Sequence, residues 1–228
     1  FLLESVTGGE HIARYSFIGI QPRAALVIRG RTVARHANGQ VMMRALPPDD
    51  DPLEAIRGEL AAYSVERAHG LPRFLGGMVG YLGYETVQFL EPTLRLPHSD
   101  LPDGIFLLTD TVVAFDHARG RTLLMATVPI DKHEEAETKL RAIEERLTAS
   151  ASTPALGPAP SAAERGEVRS NVSRQVFEQN VRRAKEYIAA GDVFQVVLSQ
   201  RMSRHTSAEP FDIYRRLRRL NPSPYMFF

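Results

Sequence analysis

The sequence predicts an α+β protein built mainly on antiparallel strands, and three observations carry that expectation. Short β-prone runs are joined by tight-turn residues. The clearest pair flanks Asn38-Gly39, a dipeptide favoured in type I′ hairpins because both central residues need positive φ. Residues 76–83 read GGMVGYLG, a glycine density that suits a strand lying close against another backbone or bending sharply. Helical periods fall between groups of strands, without the regular βα alternation of a parallel sheet.

Taken in order, residues 24–28 and 32–36 are β-prone runs separated by Gly30, and the Asn38-Gly39 turn leads into a third at 41–45. A helix follows. Asp51 is placed as its N-cap, Pro52 fits its first position, and Glu54 can reach back as in a capping box. Leu53, Ile56 and Leu60 give that helix one apolar face. After the glycine-dense strand, residues 105–108, 111–115 and 122–128 read as strands, with 117–120 as the turn between the last two. Residues 132–147 form a charged amphipathic helix. Residues 149–166 are rich in Ala, Ser, Pro and Gly with no hydrophobic period, and read as a mobile linker or exposed loop. Ser173 then caps a helix with Phe177, Val181, Ala184 and Ile188 on one face, and Gly191 stops it. Residues 193–202 read as a strand, Pro210 opens a helix running to Leu220, and residues 225–228 begin another strand. The expected division is 1–148 as an N-terminal region, 149–170 as a linker or loop, and 171–228 as the incomplete start of a further domain.

Composition narrows the function classes. With 228 residues, 43% apolar and 24% charged, the chain can bury a core in one or two domains. A formal net charge of +1 argues against general attraction to nucleic acid or to an anionic membrane. Arg215, Arg216, Arg218 and Arg219 read as a solvated face complementing the end of their helix; a nucleic-acid site would need more than one such cluster. The absence of cysteine excludes disulfides, thiolate metal sites and a cysteine nucleophile, and is compatible with a cytoplasmic location. No apolar run approaches the ~20 residues that span a bilayer. The first residues carry no basic flank of a signal peptide and no starting methionine, and the last fall inside an apolar strand, so the chain reads as trimmed at both ends. There is no P-loop, no dinucleotide-binding glycine pattern, and no HExxH or EF-hand spacing.

Three segments draw attention chemically. In Leu2-Leu3-Glu4-Ser5, two polar groups follow two leucines, a pattern that also fits an ordinary strand end. In residues 193–202, strand alternation puts Gln195, Ser199 and Arg201 on one face and Phe194, Val196, Leu198 and Met202 on the other. That polar row either lines a cavity or faces water. In residues 221–226, NPSPYM, two prolines fix the backbone while Tyr225 and Met226 offer a flat, polarizable wall. By itself this also fits a helix stop followed by core residues.

Together, LLES at 2–5, RYSFIG at 14–19, GGMVGYLGYE at 76–85, FDH at 115–117, AGDVFQVVLSQR at 190–201 and NPSPYMFF at 221–228 resemble the chorismate-utilising enzymes, with the anthranilate synthase component I branch the nearest match. The resemblance covers nearly all of the chain except the linker. Glu85 stands where the family commonly has aspartate, and Met202 where it commonly has an aromatic residue.

The resemblance implies antiparallel sheets packed face to face with helices outside. It also implies conversion of chorismate and ammonia to anthranilate and pyruvate in tryptophan biosynthesis, with ammonia supplied by a glutamine amidotransferase subunit. Magnesium would hold the substrate carboxylate, with its ligands and the general acid in a C-terminal core whose motifs are absent here, so no metal ligand is assigned and these residues alone are expected to be inactive. Gln195 matches a position where water-adding relatives carry a lysine base. Glutamine is no base near neutral pH but can orient ammonia or substrate. Feedback inhibition by tryptophan is implied at a site formed by Glu4, Ser5, Asn221, Pro224, Tyr225 and Met226. There Glu4 meets the ammonium, Ser5 donates a hydrogen bond, and Pro224 and Met226 sandwich the indole. The alternatives are aminodeoxychorismate synthase component I, which shares GGMVGYLGYE, and a non-catalytic amino-acid-binding module.

Overall fold

The computed structural model describes residues 1–5, 13–48, 50–66, 69–91, 93–97, 99–149, 156–157 and 166–228. They divide into two compact units, one comprising Phe1–Ser152 with Leu217–Phe228 and the other Thr153–Arg216. The expected linker at 149–166 lies almost wholly outside the described residues.

The first unit is built on two antiparallel sheets. One runs β5 (Gln40–Ala45), β4 (Thr32–Ala37), β3 (Ala24–Arg29), β7 (Gly104–Thr109), β6 (Gly77–Leu82). The other runs β12 (Met226–Phe227), β1 (Leu2–Glu4), β2 (Tyr15–Gly19), β8 (Thr111–Asp116), β9 (Arg121–Ala126). The expected α+β architecture of antiparallel sheets with helices is what forms. The β4–β5 turn has Asn38 at φ 52° and Gly39 at φ 73°, as a type I′ hairpin requires.

The first core shows the period of two that half-buried strands impose. Ala24, Leu26 and Ile28 of β3 alternate inward, and Leu26 and Ile28 cluster with Val33 and Leu46 against the first helix, α1 (Pro52–Leu60). Asp51 caps α1 by accepting from the Leu53 and Glu54 amides at 2.7 and 3.2 Å. Glu54 does not complete the expected capping box. Its carboxylate pairs instead with Arg57 one turn on, a charged partner in place of a neutral amide. Leu53 and Ile56 face the core as their spacing predicts, together with Ala55, while Leu60 at the helix end is 38% exposed.

Strand β6 explains its own glycines. A Cβ built on Gly80 would stand 1.8 Å from the Ile105 carbonyl oxygen, so β6 approaches β7 more closely than any side chain there permits. A short helix, α2 (Val87–Leu90), follows β6, and its Phe89 joins the margin of the first core.

In the other sheet Val112, Ala114 and Met125 are buried, with Phe17, Phe74, Leu75 and Leu123 around them. Helix α3 (His133–Thr148) lies along β9 and buries Ala136 and Ile143. Strand β2 was not anticipated as an element; it sits between β1 and β8 and ties the start of the chain to the centre of the sheet.

The second unit contains α4 (Arg174–Ala190), the two-stranded ladder of β10 (Arg169–Ser170) and β11 (Met202–Ser203), and most of α5 (Pro210–Leu220). Ser173 Oγ accepts from the Val176 amide at 3.3 Å, and Gly191 ends α4 in the left-handed region at φ 85°. The strand expected over 193–202 reduces to Met202 at the start of β11. Alternation alone does not make a strand, because the backbone groups need a ladder partner. Here β10 supplies two residues, extended by Asn171, whose amide donates to the Arg201 carbonyl while its side chain accepts from the Arg201 amide. Among the described residues, no helix is long and apolar enough to cross a membrane.

Candidate functional site

Strand β1 brings the two ends of the first unit together. Leu3 pairs with Phe227 and Glu4 with Met226, and the Leu2 and Phe228 backbones exchange hydrogen bonds at 2.7 and 2.9 Å. Directly opposed residues of an antiparallel pair share a face, so Glu4 and Met226 are side-by-side neighbours although 222 positions separate them in this sequence. The LLES and NPSPYM segments singled out in the sequence are therefore adjacent in space.

The approach to this ladder is set by helix α5. Its last turn is closed by the Asn221 amide donating to the Leu217 carbonyl at 2.8 Å. Pro222 and Pro224 then prevent continuation of the helix, and the Tyr225 amide donates to Ser223 Oγ at 3.4 Å. Tyr225 is 81% exposed, Pro224 is exposed, and Met226 is only 7% exposed. Met226 is thus largely covered where it lies beside Glu4 in the ladder, whereas Pro224 and Tyr225 are open.

Glu4 has a partner the sequence did not reveal. Arg218 Nε donates to both carboxylate oxygens, at 3.2 and 3.1 Å, with the Glu4 side chain 12% exposed. Of the four arginines read as a solvated face, Arg218 instead holds the end of α5 against β1, and Arg215 pairs with Asp212 one turn back at 3.0 Å. Ser5 lies half-buried just beyond the end of β1.

A second polar cluster accounts for the RYSFIG and FDH motifs. Asp116 ends β8 with its carboxylate shielded from solvent, and Arg14 donates Nε and Nη2 to its two oxygens at 3.0 Å each. Arg121 adds a third bond at 3.4 Å, and Ser16 Oγ lies 2.8 Å from His117 Nε2. The hydrogen bonds from Arg14 lower the Asp116 pKa from 3.8 to about 2 against the opposing effect of burial, with Arg121 assisting. Because the folded value is depressed, this pair stabilises the fold fully above the ordinary carboxylate range, and its contribution is lost as pH falls through the folded value. Asp116→Asn is therefore expected to lower the melting temperature at pH 7, and the gap to the unaltered protein should close between about pH 4 and pH 2. Melting curves across that range check it; a gap independent of pH would show that packing, not charge, accounts for the loss.

Gln195 is exposed, as are Phe194 at 95% and Val197 at 82%, while Leu198 in the same segment is half-buried. No three His, Asp or Glu side chains converge as a metal site among the described residues.

The geometry can be set beside known proteins. The chain is 41% identical to anthranilate synthase component 1 of Pseudomonas putida and 38% identical to the probable anthranilate synthase component 1 of Schizosaccharomyces pombe, in each case over all of this chain. It spans about half the length of these relatives, 48% and 44% respectively. In structure it resembles anthranilate synthase component I from Streptococcus pneumoniae TIGR4, with a TM-score of 0.71, 27% identity, and coverage of 97% of this chain and 50% of that one. The family model of the chorismate binding enzymes matches residues 1–228. By that match, the chain belongs to the chorismate-binding enzyme family.

Proposed function

We propose that this chain is the N-terminal portion of the large subunit of anthranilate synthase, which converts chorismate and ammonia to anthranilate and pyruvate with ammonia from a glutamine amidotransferase partner. The whole-chain similarity to anthranilate synthase component 1 supports the reaction. The observation that carries the regulatory part is the β1–β12 ladder, which sets Glu4 beside Met226. In this reading tryptophan binds over that ladder. Its ammonium meets Glu4 and Ser5, and its indole packs against Pro224 and Met226 beside Tyr225, with Asn221 at the turn. Magnesium and the acid–base groups belong to sequence outside these 228 residues, and Gln195 orients ammonia or substrate.

The test uses Ser5→Ala and Met226→Ala in the full-length protein. A lost neutral hydrogen bond costs about 0.5–1.5 kcal/mol, so Ser5→Ala should raise the inhibitory tryptophan concentration roughly threefold to tenfold while leaving uninhibited anthranilate formation in place. Met226→Ala should weaken inhibition as well, and should also lower the melting temperature because the side chain is buried. Unaltered inhibition curves in both active variants would remove the effector site from this ladder. Absence of chorismate-dependent anthranilate formation in the unaltered protein would remove the reaction.

A further inference from the structure

Where β7 turns into β8, the first unit carries an open pocket of about 700 Å³ that lies away from the β1–β12 ladder. Its volume falls in the range of small-molecule sites. We propose that it binds a small cyclic carboxylate, a flat apolar body carrying one negative charge.

The floor comes first. Gly76 and Gly77 line the cavity with φ of 140° and 127°, a region that side chains rarely adopt. Gly76 rests directly on β7, since a Cβ there would meet the Thr109 carbonyl oxygen at 2.6 Å. A Cβ on Gly77 would meet nothing within 4 Å, so the floor is bare backbone below open space. Leu60, Leu75 and Val128 contribute apolar wall, and Tyr63 adds an aromatic ring.

The charges decide the class of ligand. Arg23 and Arg73 both line the cavity, both are exposed, and neither forms an ion pair with a carboxylate among the described residues. Arg23 lies over the Tyr63 ring, its guanidinium carbon 5.7 Å from the ring centre. The carboxylate in the lining, Asp110, is already engaged by Lys139 at 3.3 Å, and Lys139 also holds Glu135 at 3.1 Å. Lys132 reaches Glu135 as well, at 3.7 Å, so these two acids are matched by two lysines, whereas the two arginines remain as forks for an incoming anion. An inorganic anion would use the arginines and leave the apolar walls uncovered. An uncharged ring would cover the walls and leave the arginines unused. A ring bearing a carboxylate satisfies both.

The experiment uses the full-length protein and 2-naphthoate as probe, titrated by calorimetry with saturating chorismate and tryptophan present to cover other sites. Saturable binding is expected. 2-Naphthylmethanol, which keeps the ring and loses the charge, should bind at least about tenfold more weakly, and so should 2-naphthoate to the double variant Arg23→Gln/Arg73→Gln. That variant should melt as the unaltered protein does, since both side chains are exposed and lack carboxylate partners among the described residues. No saturable binding at millimolar probe, equal binding of the neutral alcohol, or undiminished binding by the double variant would each overturn the proposal.

Discussion

Gly80→Ala is expected to destabilise the protein by about 3 kcal/mol or more, among the larger effects a single methyl group can have. The reason lies in which atoms the new Cβ would meet. The Ile105 carbonyl oxygen stands at 1.8 Å, the Phe106 Cα at 2.7 Å and the Ile105 carbonyl carbon at 2.8 Å, all backbone atoms of the paired strand. No side chain can rotate aside, so β6 must shift away from β7, and the ladder from Gly77–Thr109 to Leu82–Gly104 breaks with it. That displacement also removes Met78 from the margin of the first core. Gly58 gives an internal control of opposite sign. It lies in α1, is exposed, and a Cβ there meets nothing within 4 Å. Gly58→Ala should therefore stabilise by about 0.5–1 kcal/mol through helix propensity. Urea denaturation of the two variants, with midpoints compared at a common slope, checks both signs. Equal midpoints for Gly80→Ala and the unaltered protein would mean that β6 does not approach β7 this closely in solution.

The contrast between these glycines also shows which parts of the fold a sequence exposes. Asn38-Gly39 declares a hairpin because the positive φ it needs is local, and the density of glycine in β6 announces a close approach without naming its partner. Strand β2 went unread because its role is set from a distance: Arg14 before it reaches Asp116, 102 residues away, to close the β2–β8 ladder. The same limit operated in reverse over residues 193–202. Their alternation is a local property, but a strand needs partners, and among the described residues only the end of the segment finds one. At the candidate site the residue types of β1 and NPSPYM fitted a strand end and a helix stop equally well; only the family resemblance joined the two segments, and the ladder shows them adjacent. Arg218 was not legible there, because its position in a run of arginines suggested solvent while its actual neighbour, Glu4, lies 214 residues earlier.

Glu4→Gln and Arg218→Gln break the same ion pair, yet they should move tryptophan inhibition in opposite directions. The Glu4 carboxylate accepts from Arg218 Nε at both oxygens, and the two charges act on an incoming ammonium with opposite signs. Under the proposed effector reading, Glu4→Gln removes the charge that the ammonium requires. A hydrogen bond to a charged group is worth about 1.5–3 kcal/mol, so the inhibitory tryptophan concentration should rise roughly tenfold to a hundredfold. Arg218→Gln has the other effect. It leaves the Glu4 charge in place and removes the cation that partly neutralises it, so tryptophan should inhibit at an equal or lower concentration. Both variants lose the tie between the end of α5 and β1, so both should melt slightly earlier; the pair is partly exposed and its own contribution is modest. If the ion pair matters only as a brace, the two variants are equivalent, and their inhibition curves should shift together or not at all. Anthranilate formation measured against tryptophan concentration, with a melting curve for each variant, separates the cases. Opposite shifts at similar stability support a ligand carboxylate at Glu4, and parallel shifts reduce Glu4 to one half of a structural pair.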